Sequence, residues 1–302
     1  MGIYDLIVIG GGAAGAMAAV RAGELGAERI LLLEKAAALG GNCLRAGTIF
    51  TTALRDWGCY EDDSENLELL FRTIQEDLHQ QGNPDLIRRY IARAKDAAKF
   101  FEQRGIRWVK LTGGGFGRNG SINVESLEQG GLGPQLFKLL KRELDACEGL
   151  EIRTGCPATH LEQMPGGRGF RVTMEREGKP VSEECRYVIV AAGGAAGSSR
   201  AIARYVPWCV SCPEDEIRCA GMPSCEGDGI ALCQELGADV SNALNIHLLP
   251  PWFGGHEFTR FGFLLEHPSA LILGADGVRL MDESGPFDAL TQLVQNHPRK
   301  VC

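Results

Sequence analysis

The 302-residue sequence has no run of about 18 uninterrupted apolar residues, so it offers no candidate transmembrane helix. No secretory leader is expected either. Its first apolar run starts at Ile3, lacks a basic flank and contains Asp5 and a glycine cluster. It lacks positive charge in excess: the formal net charge is -8, which argues against nucleic acid as the main partner, because phosphate binding needs clustered Lys and Arg. No internal repeat and no low-complexity tract occurs. These absences leave a cytoplasmic globular protein as the expectation.

Cysteine and glycine are plentiful instead. Eleven cysteines form an odd set in a chain of this size, which points to reduced thiols rather than a secreted disulfide framework. Forty glycines suggest tight turns and close backbone approaches. A hydrophobic fraction of 44% beside 23% charged residues suits a soluble globular chain.

The N-terminal stretch DLIVIGGGAAGAMAAV, residues 5–20, carries the strongest pattern. YDLIVI reads as a buried strand, Ala13 to Leu25 as a helix of small residues, and RILLL as a second buried strand ending at Glu34. This is a βαβ unit, and it predicts a parallel sheet. Gly10, Gly12 and Gly15 fit G-x-G-x-x-G between strand and helix. The first glycine serves the turn, the second lets the backbone approach a pyrophosphate, and the third lets helix and strand pack closely. The phosphates would lie at the positive helix N-terminus. Glu34, at the end of the second strand, can accept hydrogen bonds from ribose hydroxyls and would repel a 2′-phosphate, which disfavours NADP.

Further along, residues 64–104 are helical in character. One helix starts at Ser64 and ends at Gly82. The next has Asn83 as cap and Pro84 in its first turn, and ends at Gly105. Residues 112–133 are glycine-rich and read as a binding loop. Gly133 to Ala146 reads as a helix. Short strands follow in LEIRTG, GFRVTMER and CRYVIVAAGG, with a hairpin turn at MPGGRG between the first two. The chain then reads as irregular from Gly194 to Cys225, before a short helix in GDGIALCQELGA. The last 60 residues carry no strong period.

Glu34 is followed by Lys35 and then by Gly40-Gly41-Asn42. With the glycine loop and LLEK before it, this resembles the FAD-dependent oxidoreductases of the fumarate reductase and succinate dehydrogenase flavoprotein type, a group that includes aspartate oxidase and ketosteroid dehydrogenases. TGCPATHL, VIVAAGG and CEGDGIALCQELGA resemble three later family segments, in the expected order. The resemblance implies FAD as cofactor, and an α/β fold: a Rossmann-like FAD-binding domain with a parallel central sheet, a small antiparallel insertion and a partial capping domain. It implies residues 1–242 as the FAD-binding domain and 243–302 as partial cap and tail. It implies cofactor contacts from Gly10, Gly12, Ala13, Ala14, Gly15, Glu34, Lys35, Gly41, Asn42, Cys43, Ala158, Ala192, Gly193 and Asp228. Cys43 stands where the family commonly has Ser or Thr. It either replaces that hydroxyl or is a reactive thiol.

The chain departs from the family's substrate machinery. Counted without gaps from GADGVRLMDES, the proton-donor arginine position falls on Phe287 and a second arginine position on Glu266. A histidine position falls on Leu249, with His247 close by. A site with Glu266 and Phe287 in place of two arginines would repel a dicarboxylate. The family's C-terminal region has no match after Ser284, so the chain reads as truncated.

The implied activity is hydride transfer between flavin and a small unsaturated or carbonyl-conjugated substrate. The alternative is a catalytically incomplete FAD-binding fragment, or one subunit of a multi-chain flavoenzyme with an electron-transfer or completing partner. Arg118, in the glycine-rich loop beside Asn119, is a candidate to bind a carboxylate or carbonyl oxygen. His256 and His267 are candidate proton carriers. Cys209, Cys212, Cys219 and Cys225 contain one CxxC spacing but no second, so no metal is expected.

Overall fold

The computed structural model describes residues 2–45, 49–50, 64–77, 80, 82–110, 121–124, 132–206, 219, 221–240, 271, 273–274 and 276–280. The chain divides into two compact units. One comprises Met1–Ala46, Glu128–Pro207 and Glu214–Ser241, and the other comprises Gly47–Leu127, Trp208–Pro213 and Asn242–Cys302.

The first unit is built on a six-stranded sheet. Its strands are β1 (Tyr4–Ile9), β2 (Ile30–Leu33), β6 (Leu150–Arg153), β7 (Ala158–Gln163), β8 (Phe170–Arg176) and β9 (Lys179–Val190), in the order β6-β2-β1-β9-β8-β7. The β6, β2, β1 and β9 neighbours pair in parallel, while β9, β8 and β7 pair antiparallel. The long β9 therefore belongs to both parts. Its Cys185–Val190 half lies beside β1, and its Lys179–Cys185 half pairs with β8. All four residues of β2 are buried, as expected for a strand covered on both faces.

Helix α1 (Ala13–Glu24) buries Gly15, Ala16, Ala19 and Val20. These small side chains let the helix lie close to the sheet, and Val8 Cγ1 sits just 3.2 Å from where a methyl group on Gly15 would be. Helix α4 (Leu132–Asp145) packs beside α1. A core forms from Tyr4, Ile7, Ile9, Leu31, Leu33, Leu161, Val172, Met174 and Leu232. Ile7 and Ile9 enter it while Val8 faces α1, so these residues of β1 alternate between two faces, which fixes the register.

The structure corrects the sequence reading of this unit in three places. MPGGRG does close a hairpin, but its first strand is β7 rather than LEIRTG. β7 escapes a pattern reading because it is an edge strand with one buried residue and a register shift between Ala158 and His160. β9 begins at Lys179, because its polar first half lies in the antiparallel ribbon. The stretch read as irregular contains helix α5 (Ser199–Tyr205), capped by Ser198 Oγ accepting from Ala201 N at 3.3 Å. Helix α6 (Asp228–Glu235) lies where it was expected.

The second unit holds α2 (Ser64–Asp77), α3 (Pro84–Glu102) and a three-stranded antiparallel sheet of β3 (Ile49–Phe50), β5 (Ser121–Val124) and β4 (Trp108–Lys110), ordered β3-β5-β4. β5 interrupts the stretch expected to be wholly loop. Leu70, Ile87 and Ile91 join α2 to α3. Asn83 Oδ1 caps α3 by accepting from Asp85 N and Leu86 N at 3.0 and 3.2 Å, the cap that the sequence predicts. A tight turn closes with Gly274 N donating to Val278 O at 2.8 Å.

Candidate nucleotide site

The site forms where β1, β2 and β9 end together. Gly10 N donates to Leu33 O and Ala191 N donates to Ile9 O, each at 2.7 Å, so the three strand ends are laced to one another. Gly10 has φ +108, and a methyl group there would run into the Ala191 carbonyl. A methyl group on Gly15 would overlap the Gly10 carbonyl oxygen. Both glycines are therefore dictated by the protein's own packing.

Gly12 differs. Its φ of -74 is open to any residue, and among the described residues a methyl group on it would meet nothing nearer than Gly40 O at 3.7 Å. The protein does not require glycine here, so the open face above Gly12 fits a group from outside the chain. Gly12 begins α1 without a side-chain cap, and the first-turn amides of Ala13, Ala14 and Gly15 are the donors that a helix start presents to an anion. The residues present thus fit the pyrophosphate of a dinucleotide.

Glu34 is buried at 8% exposure. Its Oε2 accepts from Gly11 N and its Oε1 from Ala36 N, both at 2.8 Å. The carboxylate shapes the phosphate loop from below, and each oxygen retains a second acceptor position for a ribose hydroxyl. Two further backbone bonds bring β6 and the start of β7 to the same end: Gly155 N to Ala36 O at 2.9 Å and Cys156 N to Glu34 O at 3.0 Å. Ala158 follows two residues later at the start of β7.

The Gly40–Gly41 turn lies against the loop, with Gly40 N donating to Gly11 O at 2.9 Å. Gly41 has φ +52, and the 3-10 turn Gly41–Arg45 continues from it. Asn42 Oδ1 accepts from Met222 N at 2.6 Å, and Arg45 Nη1 donates to Gly221 O at 2.8 Å. Cys43 Sγ donates to Gly133 O at 3.5 Å. Burial pushes its thiol pKa up, which favours the hydroxyl-like reading of Cys43 over the reactive one.

On the far side, the turn after β9 carries Ala192 and Gly193, the latter at φ +77. Gly229 in α6 packs so closely that a methyl group there would lie 3.0 Å from Ala192 Cβ. Asp228 opens α6, and its Oδ2 accepts from Lys35 Nζ at 2.5 Å. Cys225 is buried beside Gly193, and burial raises its thiol pKa as well.

The structure thus gathers every predicted cofactor residue from Gly10 to Asp228 into one unit. Sequence reasoning missed Arg45, Met222 and Glu226, whose partners lie far away in the chain and leave no local pattern. Arg118, Asn119, His247, Leu249, His256, Glu266, His267 and Phe287 lie outside the described residues, as do Cys209 and Cys212. Among the described residues, Cys43, Cys147, Cys156, Cys185, Cys219, Cys225 and Cys233 are free thiols. No described helix is long and apolar enough to cross a membrane.

The NADH:fumarate oxidoreductase of Klebsiella pneumoniae is 26% identical over 254 residues, covering 82% of this chain and 26% of that protein. The urocanate reductase of Eggerthella lenta is 23% identical over 301 residues, covering 96% of this chain and 48% of that protein. The chain therefore spans about a quarter to a half of the length of these relatives. The crystal structure of 3-ketosteroid-delta4-(5alpha)-dehydrogenase from Rhodococcus jostii superposes with a TM-score of 0.75 at 20% identity, covering 98% of this chain and 64% of that one, which establishes a shared fold. The FAD-binding domain family, FAD_binding_2, matches over residues 5–301. The chain therefore belongs to the FAD-binding domain family of the fumarate reductase flavoprotein type, and its cofactor is FAD.

Proposed function

We propose that this chain is the FAD-holding part of an oxidoreductase that exchanges a hydride with a small unsaturated or carbonyl-conjugated organic substrate. The observation that carries the reading is Gly12, open at the start of an uncapped helix while Gly10 and Gly15 are closed by the protein itself. FAD supplies the hydride chemistry at its isoalloxazine ring. The chain's residues do the holding. The first-turn amides of α1 meet the pyrophosphate. Glu34 accepts from the ribose and excludes a 2′-phosphate. Gly41, Asn42 and Cys43 line the phosphate side, the backbone near Ala158 meets the adenine, and Ala192, Gly193 and Asp228 face the flavin.

The relatives' substrates are fumarate and urocanate by name. For this chain we place an enoate with a single carboxylate ahead of a dicarboxylate. Glu266 and Phe287 occupy the counted positions of two carboxylate-binding or proton-donating arginines, and a carboxylate at 266 repels a second substrate carboxylate. Arg118 is the candidate for holding the remaining one, and His256 or His267 for carrying the proton. Residues 1–242 supply the FAD-binding domain and 243–302 the start of a cap, in a cytoplasmic setting.

A second reading is favoured by the share of the relatives that the chain spans. In it, the chain holds FAD while another segment or subunit completes the substrate site and passes electrons. One experiment separates the two readings. The purified chain is loaded with FAD, reduced anaerobically with dithionite, cleared of excess reductant, and mixed with urocanate, acrylate or fumarate. Reoxidation by urocanate or acrylate but not by fumarate supports the first reading. A yellow protein that no enoate reoxidises supports the second. A chain that cannot be loaded with FAD sinks both.

A further inference from the structure

Lys35 follows Glu34 directly and belongs, by its place in the sequence, with the cofactor ligands. Its ammonium is committed elsewhere. Nζ lies 2.7 Å from Glu226 Oε2 and 2.5 Å from Asp228 Oδ2, partners 191 and 193 residues downstream. Its side chain is 23% exposed, so water screens the pairs only in part. Burial draws the ammonium pKa down, but hydrogen bonds to Asp228 and Glu226 outweigh it and hold the pKa above its ordinary value. One cation faces two carboxylates. The trio is anionic, and it would not attract a phosphate.

What the trio does attract is α6. Asp228 is the first residue of that helix, where a carboxylate also meets the positive end of the helix dipole. Gly227, at φ +82, lets the chain pass under the Tyr205 ring, and Gly227 N donates to Gly194 O at 3.1 Å. Gly229 then abuts Ala192, whose turn abuts Gly10. The start of α6 thus sets the position of the 192–193 turn relative to the phosphate loop. Neutral bonds from Met222 N to Asn42 Oδ1 and from Gly197 N to Cys225 O hold the same segment, and the Lys35 pairs add charge-assisted ones.

We propose that Lys35 is a positioning residue of the FAD site: its ammonium draws Glu226 and Asp228 onto the loop after β2 and does not touch the dinucleotide. The inference rests on the assignment of this site to FAD. A thermodynamic cycle tests it, with FAD dissociation constants measured by flavin fluorescence for the full chain, Lys35→Met, Glu226→Gln/Asp228→Asn, and the triple variant. Lys35→Met weakens FAD by about tenfold or more in the native background. In the Glu226→Gln/Asp228→Asn background the same change stays within about twofold, because its partners are already gone. Lys35→Arg keeps the pairs and restores binding. An equal or larger loss in the carboxylate-free background means that Lys35 holds phosphate directly, and it overturns the proposal. So does an unchanged FAD affinity in Lys35→Met.

The same four proteins, free of flavin, are unfolded in urea. Coupled shifts of the midpoint support the tie, and additive shifts overturn it. A native chain that binds no FAD would overturn the cofactor assignment instead, and the flavin-free cycle would then decide the tie alone.

Discussion

Two glycines in the phosphate loop are retained for different reasons, and a methyl group separates them. Gly15→Ala drives its methyl group into the Gly10 carbonyl, so backbone must shift and stability falls, by about 1–3 kcal/mol as for other overpacked sites. Gly12→Ala meets no atom of the described residues nearer than 3.7 Å and needs no unusual backbone angle. It should unfold at the native midpoint and still lose FAD affinity, because the methyl group occupies the approach of the pyrophosphate. Urea unfolding and flavin titration on the two variants check this. A Gly12→Ala protein with native affinity would mean that the dinucleotide does not pass over α1's first turn.

Tyr4 makes a second residue-scale prediction. Burial, with a hydrogen bond to Glu151, pushes its pKa up to about 12 from an ordinary 10.0. The folded protein therefore holds this proton more tightly than the unfolded chain. The resulting stability is complete below pH 10 and is lost as pH rises toward 12. In Tyr4→Phe the fall over that window should flatten. The variant starts from lower stability, because Arg153 Nη2 loses the Tyr4 oxygen at 3.1 Å and Glu151 loses the Tyr4 hydroxyl while keeping Arg153. Unfolding midpoints between pH 9 and 12 give the slope.

At the scale of elements, the hairpins depend on glycine geometry that the pattern of apolar residues does not reveal. Gly169, at the entry to β8, has φ +119, and a methyl group there would strike the Cys185 carbonyl. Gly169→Ala should cost about 1–3 kcal/mol of strain, seen as a lower unfolding midpoint and faster amide exchange in β7 and β8. Exchange confined to native rates in both strands would contradict this.

The elements differ in how legible they were, for the same physical reasons. β1 and β2 declared themselves because they are apolar runs buried along nearly all their length, and α1 because small residues recur on its one buried face. Asn83 declared α3 because capping is a local bond between neighbours in sequence. β7, the first half of β9 and α5 did not. Their residues face solvent on one or both sides, so polarity alternates with neither period, and α5 is seven residues long. The proposed cofactor site is legible in the sequence as far as it is built from local motifs: the glycine loop, Glu34, the Gly40–Asn42 turn and the Asp228 helix start. Its ties between distant segments, Asn42 with Met222, Arg45 with Gly221 and Lys35 with Glu226, are products of the fold and have no signature before it.

At the scale of the whole molecule, FAD should act on one unit. The strand ends proposed to meet the dinucleotide, in β1, β2 and β9, belong to the unit of residues 1–46, 128–207 and 214–241. A ligand that binds only the folded site stabilises it by about 2.7 kcal/mol at a hundredfold excess over its dissociation constant. Amide exchange in residues 4–9, 30–33 and 185–190 should therefore slow by roughly a hundredfold where opening requires loss of the site. ADP, which fills only the α1 and Glu34 half, should protect the ends of β1 and β2 while leaving the 192–193 turn unchanged. Protection by FAD that is confined to residues 47–127 would place the cofactor in the wrong unit. Equal protection by FAD and ADP at residues 190–194 would show that the flavin end of the dinucleotide does not reach the turn after β9.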